Sequence, residues 1–398
     1  MRWVALVRRG CSVTGLAVGA LALVFGGGCT TNHDALARQP TAGSSGGGAG
    51  GSSGFGFGGF GNTGDQPQGG RNNPDMEPAG DNVLTIVNGA IDASSVALCF
   101  ARVSEGGETV ELVGSPLPEL PYAASTVLTA IDGLSLIDDE IQPFVIAGDL
   151  SRIKKLDCAG AVDLAQTLEA EVTPTDVPAA EGTGGAGGEG GAGPAPMLEK
   201  PVLRARALAA LPAGTVNIGR SILMVLTGCL GGAYYSDKLQ TSACGGDYAP
   251  DAPNIAPIAM TLSRDVRFDK VGLQGVHASP ATGRVDLRVT GDRGATSLVF
   301  APNLDFGTIG PRPADTRFSP IELGADNPTY GLQALDENAN VMSQEAWSDI
   351  YEGSGITTLV AAHTYTAILL GPDPLLVKKG WWNESVFALV QNDPTRKD

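Results

Sequence analysis

Histidine is scarce in this chain, with three among 398 residues, and just His277 and His363 fall in segments that look foldable. Since histidine is the usual general base, little of the sequence is free to build a proton-transfer site. Charged residues make up 17%, whereas glycine and proline together number 82, which excludes a coiled coil and a uniformly acidic disordered chain. Basic residues are also few. Without three N-terminal arginines, 23 basic residues face 43 acidic ones, a net charge of −20, which opposes nucleic-acid and anionic-membrane binding. No two cysteines stand in a Cys-x-x-Cys spacing, so neither a zinc site nor a thioredoxin-like redox centre is expected. No cofactor is expected either.

An apolar or small run, Cys11 to Phe25, follows Arg2, Arg8 and Arg9 and is too short for a comfortable membrane-spanning helix. This is a signal-peptide layout. Gly26, Gly27 and Gly28 then precede Cys29, so the segment resembles a bacterial lipoprotein signal, residues 1–28, whose cysteine thiol is lipidated and becomes the first mature residue. Gly26 stands where such signals usually carry leucine, and the alternative is ordinary secretion with cleavage nearby. The Arg8-Arg9 pair leaves the export route open. Residues 29–81 are rich in Gly, Ser, Asn and Pro and cannot bury enough apolar surface to offset their ordering entropy, so they read as a disordered tether. A flexible chain of about fifty residues spans roughly 40 Å, enough to hold a folded body clear of a lipid surface.

Three catalytic-looking motifs inside that tether are accidents of composition. Gly43-x-Ser45-x-Gly47 and Gly50-x-Ser52-x-Gly54 match a nucleophile elbow, and Gly54-x-Gly56-x-x-Gly59 matches a dinucleotide loop, but no strand precedes any of them to aim a serine or a row of amides. A second glycine-rich stretch, residues 181–196, reads as a disordered insert.

An internal repeat sets the architecture. "LTIVNGAIDASSVALCF" from Leu84 aligns without a gap with "LQGVHASPATGRVDLRV" from Leu273, matching Leu84 with Leu273, Val87 with Val276, Val96 with Val285 and Leu98 with Leu287. "PFVIAGDL" and "YGLQALDE" are strand-like runs that each lead towards a helical pattern, one using Ala161, Leu164, Ala165 and Leu168, the other Trp347, Ile350 and Tyr351. "ILMVLTG" from Ile222 matches "YTAILLG" from Tyr365, and last strands follow at "PIAMTL" and "SVFALV". Two copies of one module are therefore predicted, residues 82–266 and 267–398. Short alternating strands with Gly/Pro turns point to an all-β fold, two tandem immunoglobulin-like β-sandwich modules with short helical insertions. An even number of cysteines in an exported chain suggests two disulfides with three connectivities; Cys99 with Cys158 and Cys229 with Cys244 are preferred, because each pair closes a loop inside one module.

The strand, "HASP" from His277 to Pro280, and Val-Asp-Leu strand of the second copy resemble the openings of a bacterial extracellular family, domain of unknown function 4397. The first copy is looser, with Asn88 for the histidine and Ile91 for the proline. The resemblance covers residues 82 to the C-terminus and implies tandem sandwiches behind an export signal, with no catalytic residue.

Candidate sites are few. His277 stands where its ring can fix a turn, as Asn88 can in the first copy, and His363 has no Ser or Asp spacing that suggests a triad. Asp336-x-Asn338-x-Asn340 starts like a calcium loop, but Val341 and Trp347 replace its glycine and bidentate acid, so a hairpin turn is expected there. Asp138 to Glu140 reads as a solvated loop. If Trp381 and Trp382 alternate across a strand, one ring faces outward as a candidate ligand surface unless something covers it; the favoured reading puts one ring in the core and the other as a cap on the module interface. The expected protein is a non-enzymatic interaction or structural protein of the bacterial cell envelope, lipid-anchored in the outer membrane and either periplasmic or surface-exposed, a placement compatible with Thr30 rather than Asp after Cys29. Its partners would be the membrane, through the N-terminal lipid, and an envelope protein or glycan. The alternatives are an envelope-polymer hydrolase and a glycan-binding module.

Overall fold

The computed structural model describes residues 81–104, 106–107, 109–171, 202–216, 219–231, 243–249, 252–265, 267–291, 297–319, 330–372 and 383–396. These all belong to one compact unit. The first repeat contains β1 (Val83–Ala90), β2 (Ser95–Val103), β3 (Val110–Val113), β4 (Leu120–Pro121), β5 (Ser125–Leu128), β6 (Glu140–Ala147), α1 (Cys158–Glu171), β7 (Arg204–Ala207), β8 (Ser221–Gly228) and β9 (Ala256–Leu262). The second contains β10 (Val271–His277), β11 (Val285–Thr290), β12 (Ser297–Leu304), β13 (Ile309–Phe318), β14 (Gly331–Leu335), β15 (Val341–Ala346), α2 (Trp347–Ser354), β16 (Thr364–Leu370) and β17 (Val386–Gln391). The fold is all-β, two sandwiches in sequence.

Each sandwich has an inner and an outer sheet. The inner sheets run β5-β1-β8-β9 and β13-β10-β16-β17; the outer ones run β3-β2-β6-β7, with β4 paired to β2, and β12-β11-β14-β15. Both inner sheets carry a central parallel pair in the same register, Val83 opposite Ser221 and Gly272 opposite Thr364. Leu84, Val96, Leu98, Ile222 and Met224 fill the first sandwich, and their repeat equivalents Leu273, Val285, Leu287, Tyr365 and Ala367 fill the second.

The remaining apolar residues of the inner strands face the other module. Val87, Leu223, Val225, Met260 and Leu262 form one cluster with Val276, Ile368, Leu370, Ala388 and Val390, so the two inner sheets pack face to face. Four sheets are thereby stacked in order outer, inner, inner, outer. This explains the burial of every residue of β1, β8, β10 and β16. A strand covered on both faces reads as a continuous apolar run, as "ILMVLTG" does, whereas β11 alternates because its outer face is wetter.

The helices are not equivalents, although the sequence places one at a similar point in each copy. In the first repeat β7 follows α1; in the second β15 precedes α2. Ala161, Val162 and Ala165 of α1 cover the outward face of the outer sheet, against Ala97, Phe144 and Ile146, with Leu164 and Leu168 partly buried beside them. Trp347, Ile350 and Tyr351 of α2 enter the sandwich core itself. Asp157 caps α1 by accepting the Gly160 N–H at 2.8 Å, and α2 ends at left-handed Gly355, whose N–H reaches Tyr351 O at 3.0 Å. Both expected disulfides form, Cys99–Cys158 tying β2 to α1 and Cys229–Cys244 closing the loop after β8.

Candidate functional site

The two histidines occupy turn positions next to inner strands. His277 ends β10 with no exposed surface. Its Nδ1 accepts the Ser279 N–H at 3.3 Å, so the proton sits on Nε2, which donates to Gly283 O at 2.8 Å. Burial pushes the imidazole below its ordinary pKa, opposed by backbone contacts with Gly283 and Thr282 and by the charge of Asp305. The Ser279 hydroxyl bonds Thr282 Oγ1 rather than the ring, so the adjacent Ser and His make no nucleophile-base pair. Asn88 does the same work in the first repeat: its Oδ1 accepts the Ala90 N–H at 3.1 Å while Nδ2 donates to Leu120 O at 3.0 Å. His363 is 6% exposed just before β16, with Nδ1 3.1 Å from Ala361 O and its ring against Tyr365.

The acidic loops resolve into turns. Asp336 Oδ1 accepts the N–H groups of Asn338 and Asn340, both at 2.8 Å, while Oδ2 accepts Asn340 Nδ2 at 2.8 Å. These bonds, the Asn340 side chain first, hold the carboxyl below its usual range, and the segment is the β14–β15 hairpin turn. Asp139 accepts the Ser135 N–H and pairs with Arg102, while Asp138 accepts the Ser135 hydroxyl. Among the described residues no group of three His, Cys, Asp or Glu side chains is arranged to hold a metal. Likewise, no described helix is long and apolar enough to cross a membrane.

One buried ion pair had no signal in the sequence. Asp92, after β1, accepts the N–H groups of Leu230 and Gly231, both at 2.9 Å, and meets Arg204 of β7 at 3.4 Å. Arg204 also donates to the backbone oxygens of Asp92 and Gly231. The charges are thus used up in joining β7, the β1–β2 turn and the loop after β8.

Polar groups gather at both ends of the seam between the modules. At one end, Asn383 donates its N–H to Ile91 O, and Nδ2 to Ala90 O and Ala93 O at 2.9 and 2.7 Å. Tyr122 OH donates to Glu384 O at 3.0 Å, its pKa pushed above the ordinary range by burial and then by the charge of Glu345. Glu345 accepts the Phe387 N–H at 2.7 Å, and burial raises its carboxyl pKa, with a smaller push from Asp349. At the other end, Asn392 donates to Ser263 O and Gln274 Oε1 and accepts from Thr366, while Ser221 donates to Asn392 O. Trp381, Trp382, Cys29, the tether and the 181–196 insert lie outside the described residues; Asn383, held at the seam, directly follows the two tryptophans.

No protein-family model matches the chain, and no curated protein aligns with it.

Proposed function

We propose that this protein is a cell-envelope lipoprotein, anchored through Cys29 in the outer membrane, that presents two immunoglobulin-like sandwiches as a non-enzymatic interaction or structural body. The observation that carries the reading is the state of the two described histidines, His277 and His363. Both sit in turns with ring nitrogens bonded to backbone oxygens, and His277 is committed at both nitrogens. Residues of the type that run acid–base chemistry are here spent on shaping loops. Two disulfides accord with an exported chain, and the "HASP" opening accords with the domain of unknown function 4397 family. The outward one of Trp381 and Trp382 would be the ligand contact; Asn383, fastened to the module seam, follows them in sequence.

The test is binding of the full chain to arrayed envelope glycans and to its own cell-surface proteins, beside Trp381→Ala/Trp382→Ala. Saturable binding that the double variant loses supports recognition by this surface. Hydrolysis of an arrayed polymer would replace the reading with an enzyme.

A further inference from the structure

The end of the seam at Asn392 is also where the chain enters the body. The connection from β9 to β10 crosses there from one inner sheet to the other, and three bonds pin it. Asn392 Nδ2 donates to Ser263 O at 2.7 Å, Thr364 Oγ1 to Asp265 O at 3.4 Å, and the Ala362 N–H to Lys270 O at 2.9 Å. Arg264 of the same connection donates to Asp81 O at 2.7 Å, so the residues that follow Cys29 in sequence join the body at this end. Whatever Cys29 is fastened to is therefore reached from here.

On this connection Phe268 is 57% exposed, more than any other large apolar side chain among the described residues. It belongs to neither sandwich core nor to the seam cluster, so the fold does not account for it. Val360, also exposed, lies two residues before Ala362, whose bond to Lys270 brings that loop alongside. Arg264, Arg267 and Lys270 stand here against Asp265 and Asp269, with Asp81 and Asp393 beside Arg264, close to balance in a chain of net charge −17. This end meets an anionic surface without the repulsion that the chain as a whole carries. An exposed aromatic ring between basic side chains, at the root of the anchoring segment, has the chemistry of a membrane-surface contact.

We infer that this end of the body rests on the phospholipid surface that holds the anchor, with Phe268 entering among the headgroups and Arg267 and Lys270 meeting their phosphates. The contact depends on the proposed lipid at Cys29. A single ring holds weakly by itself, but a tether of about fifty residues keeps the body at about a millimolar effective concentration over the surface, so a contact of that affinity is populated. The seam then stands away from the bilayer, and its opposite end, where Asn383 is fastened, faces outward to a partner.

Hydroxyl-radical footprinting read by mass spectrometry tests it, with the full chain reconstituted in phosphatidylethanolamine vesicles holding some phosphatidylglycerol, and the Cys29→Ser chain free in solution beside it. Flotation with the vesicles and the mass of the N-terminal peptide report the anchor separately. The expected result is that Phe268 oxidises at least about threefold more slowly on the vesicles, which is about two-thirds occupancy. Phe306, beside His277 at the opposite end, should oxidise equally in both. Equal oxidation of Phe268 in a chain that floats and carries the lipid overturns the inference and leaves the anchor standing. Equal slowing of Phe268 and Phe306 also overturns it, because the body then has no preferred face. A chain without the lipid overturns the anchor, and the contact with it.

Discussion

Asn88 and His277 show how one backbone requirement accepts two side chains. Each offers an acceptor to the N–H two residues ahead and a donor to a carbonyl across the turn, but only histidine titrates. Its folded pKa is depressed, so the unfolded chain takes up the proton first, and stability is lost as pH falls below about 6.5. His277→Asn should therefore cost about 1 kcal/mol at pH 7.5 by losing the Gly283 bond, yet show a flatter fall in Tm between pH 7 and 5. Glu345 has the opposite sign. Its folded pKa is raised, so its charge destabilises the fold above that pKa and the cost disappears as pH falls through it. Glu345→Gln keeps an acceptor for Phe387 and should raise Tm at pH 7.5, with the advantage over wild type shrinking towards pH 4.

At the scale of elements, the residue pattern gave the strands that recur in both repeats, missed sheet-edge strands such as β5, β7, β12 and β13, and gave an incomplete account of the helices. Gly228 and Gly371 illustrate what the repeat transmitted: they end β8 and β16 with φ of 92° and 91°, and a Cβ at either would meet a backbone oxygen 2.6 Å away. The helical periodicities of α1 and α2 were legible as well. Which sheet face each helix covers was not, because it depends on whether the neighbouring edge strand comes before the helix, as β15 does, or after it, as β7 does. Cys99–Cys158 locks α1 to β2 across 59 residues of sequence, and Cys229–Cys244 closes 15. By loop entropy, Cys99→Ala/Cys158→Ala should lower unfolding free energy by about 4 kcal/mol and Cys229→Ala/Cys244→Ala by about 3, read by urea denaturation.

For the whole molecule, the seam decides how it behaves. Inner strands buried on both faces mean that neither sandwich can leave the other without exposing a broad apolar sheet. Residues 82–266 and 267–398 produced as separate chains should each aggregate or self-associate, and when co-expressed should recover as a one-to-one complex by size-exclusion chromatography. Ile368→Ala, at the centre of the seam, should cost about 2–5 kcal/mol, with both sandwiches unfolding in a single transition. Separate transitions would show that the modules fold independently.

The sequence alone determined the repeat, the strands that the repeat matches and the turn role of His277, and it favoured one of three disulfide pairings, because side-chain alternation, loop lengths and turn chemistry are local and leave a mark in residue order. The apolar runs of β8 and β16 served only to mark the repeat; that both of their faces are covered comes from the structure. What covers them was decided by tertiary structure: burial is not directional, so a run of valines and leucines states a demand for contact without naming the surface that meets it. The same holds for Asp92 and Arg204, 112 residues apart, whose pairing exists because three separate segments converge on one end of the first sandwich.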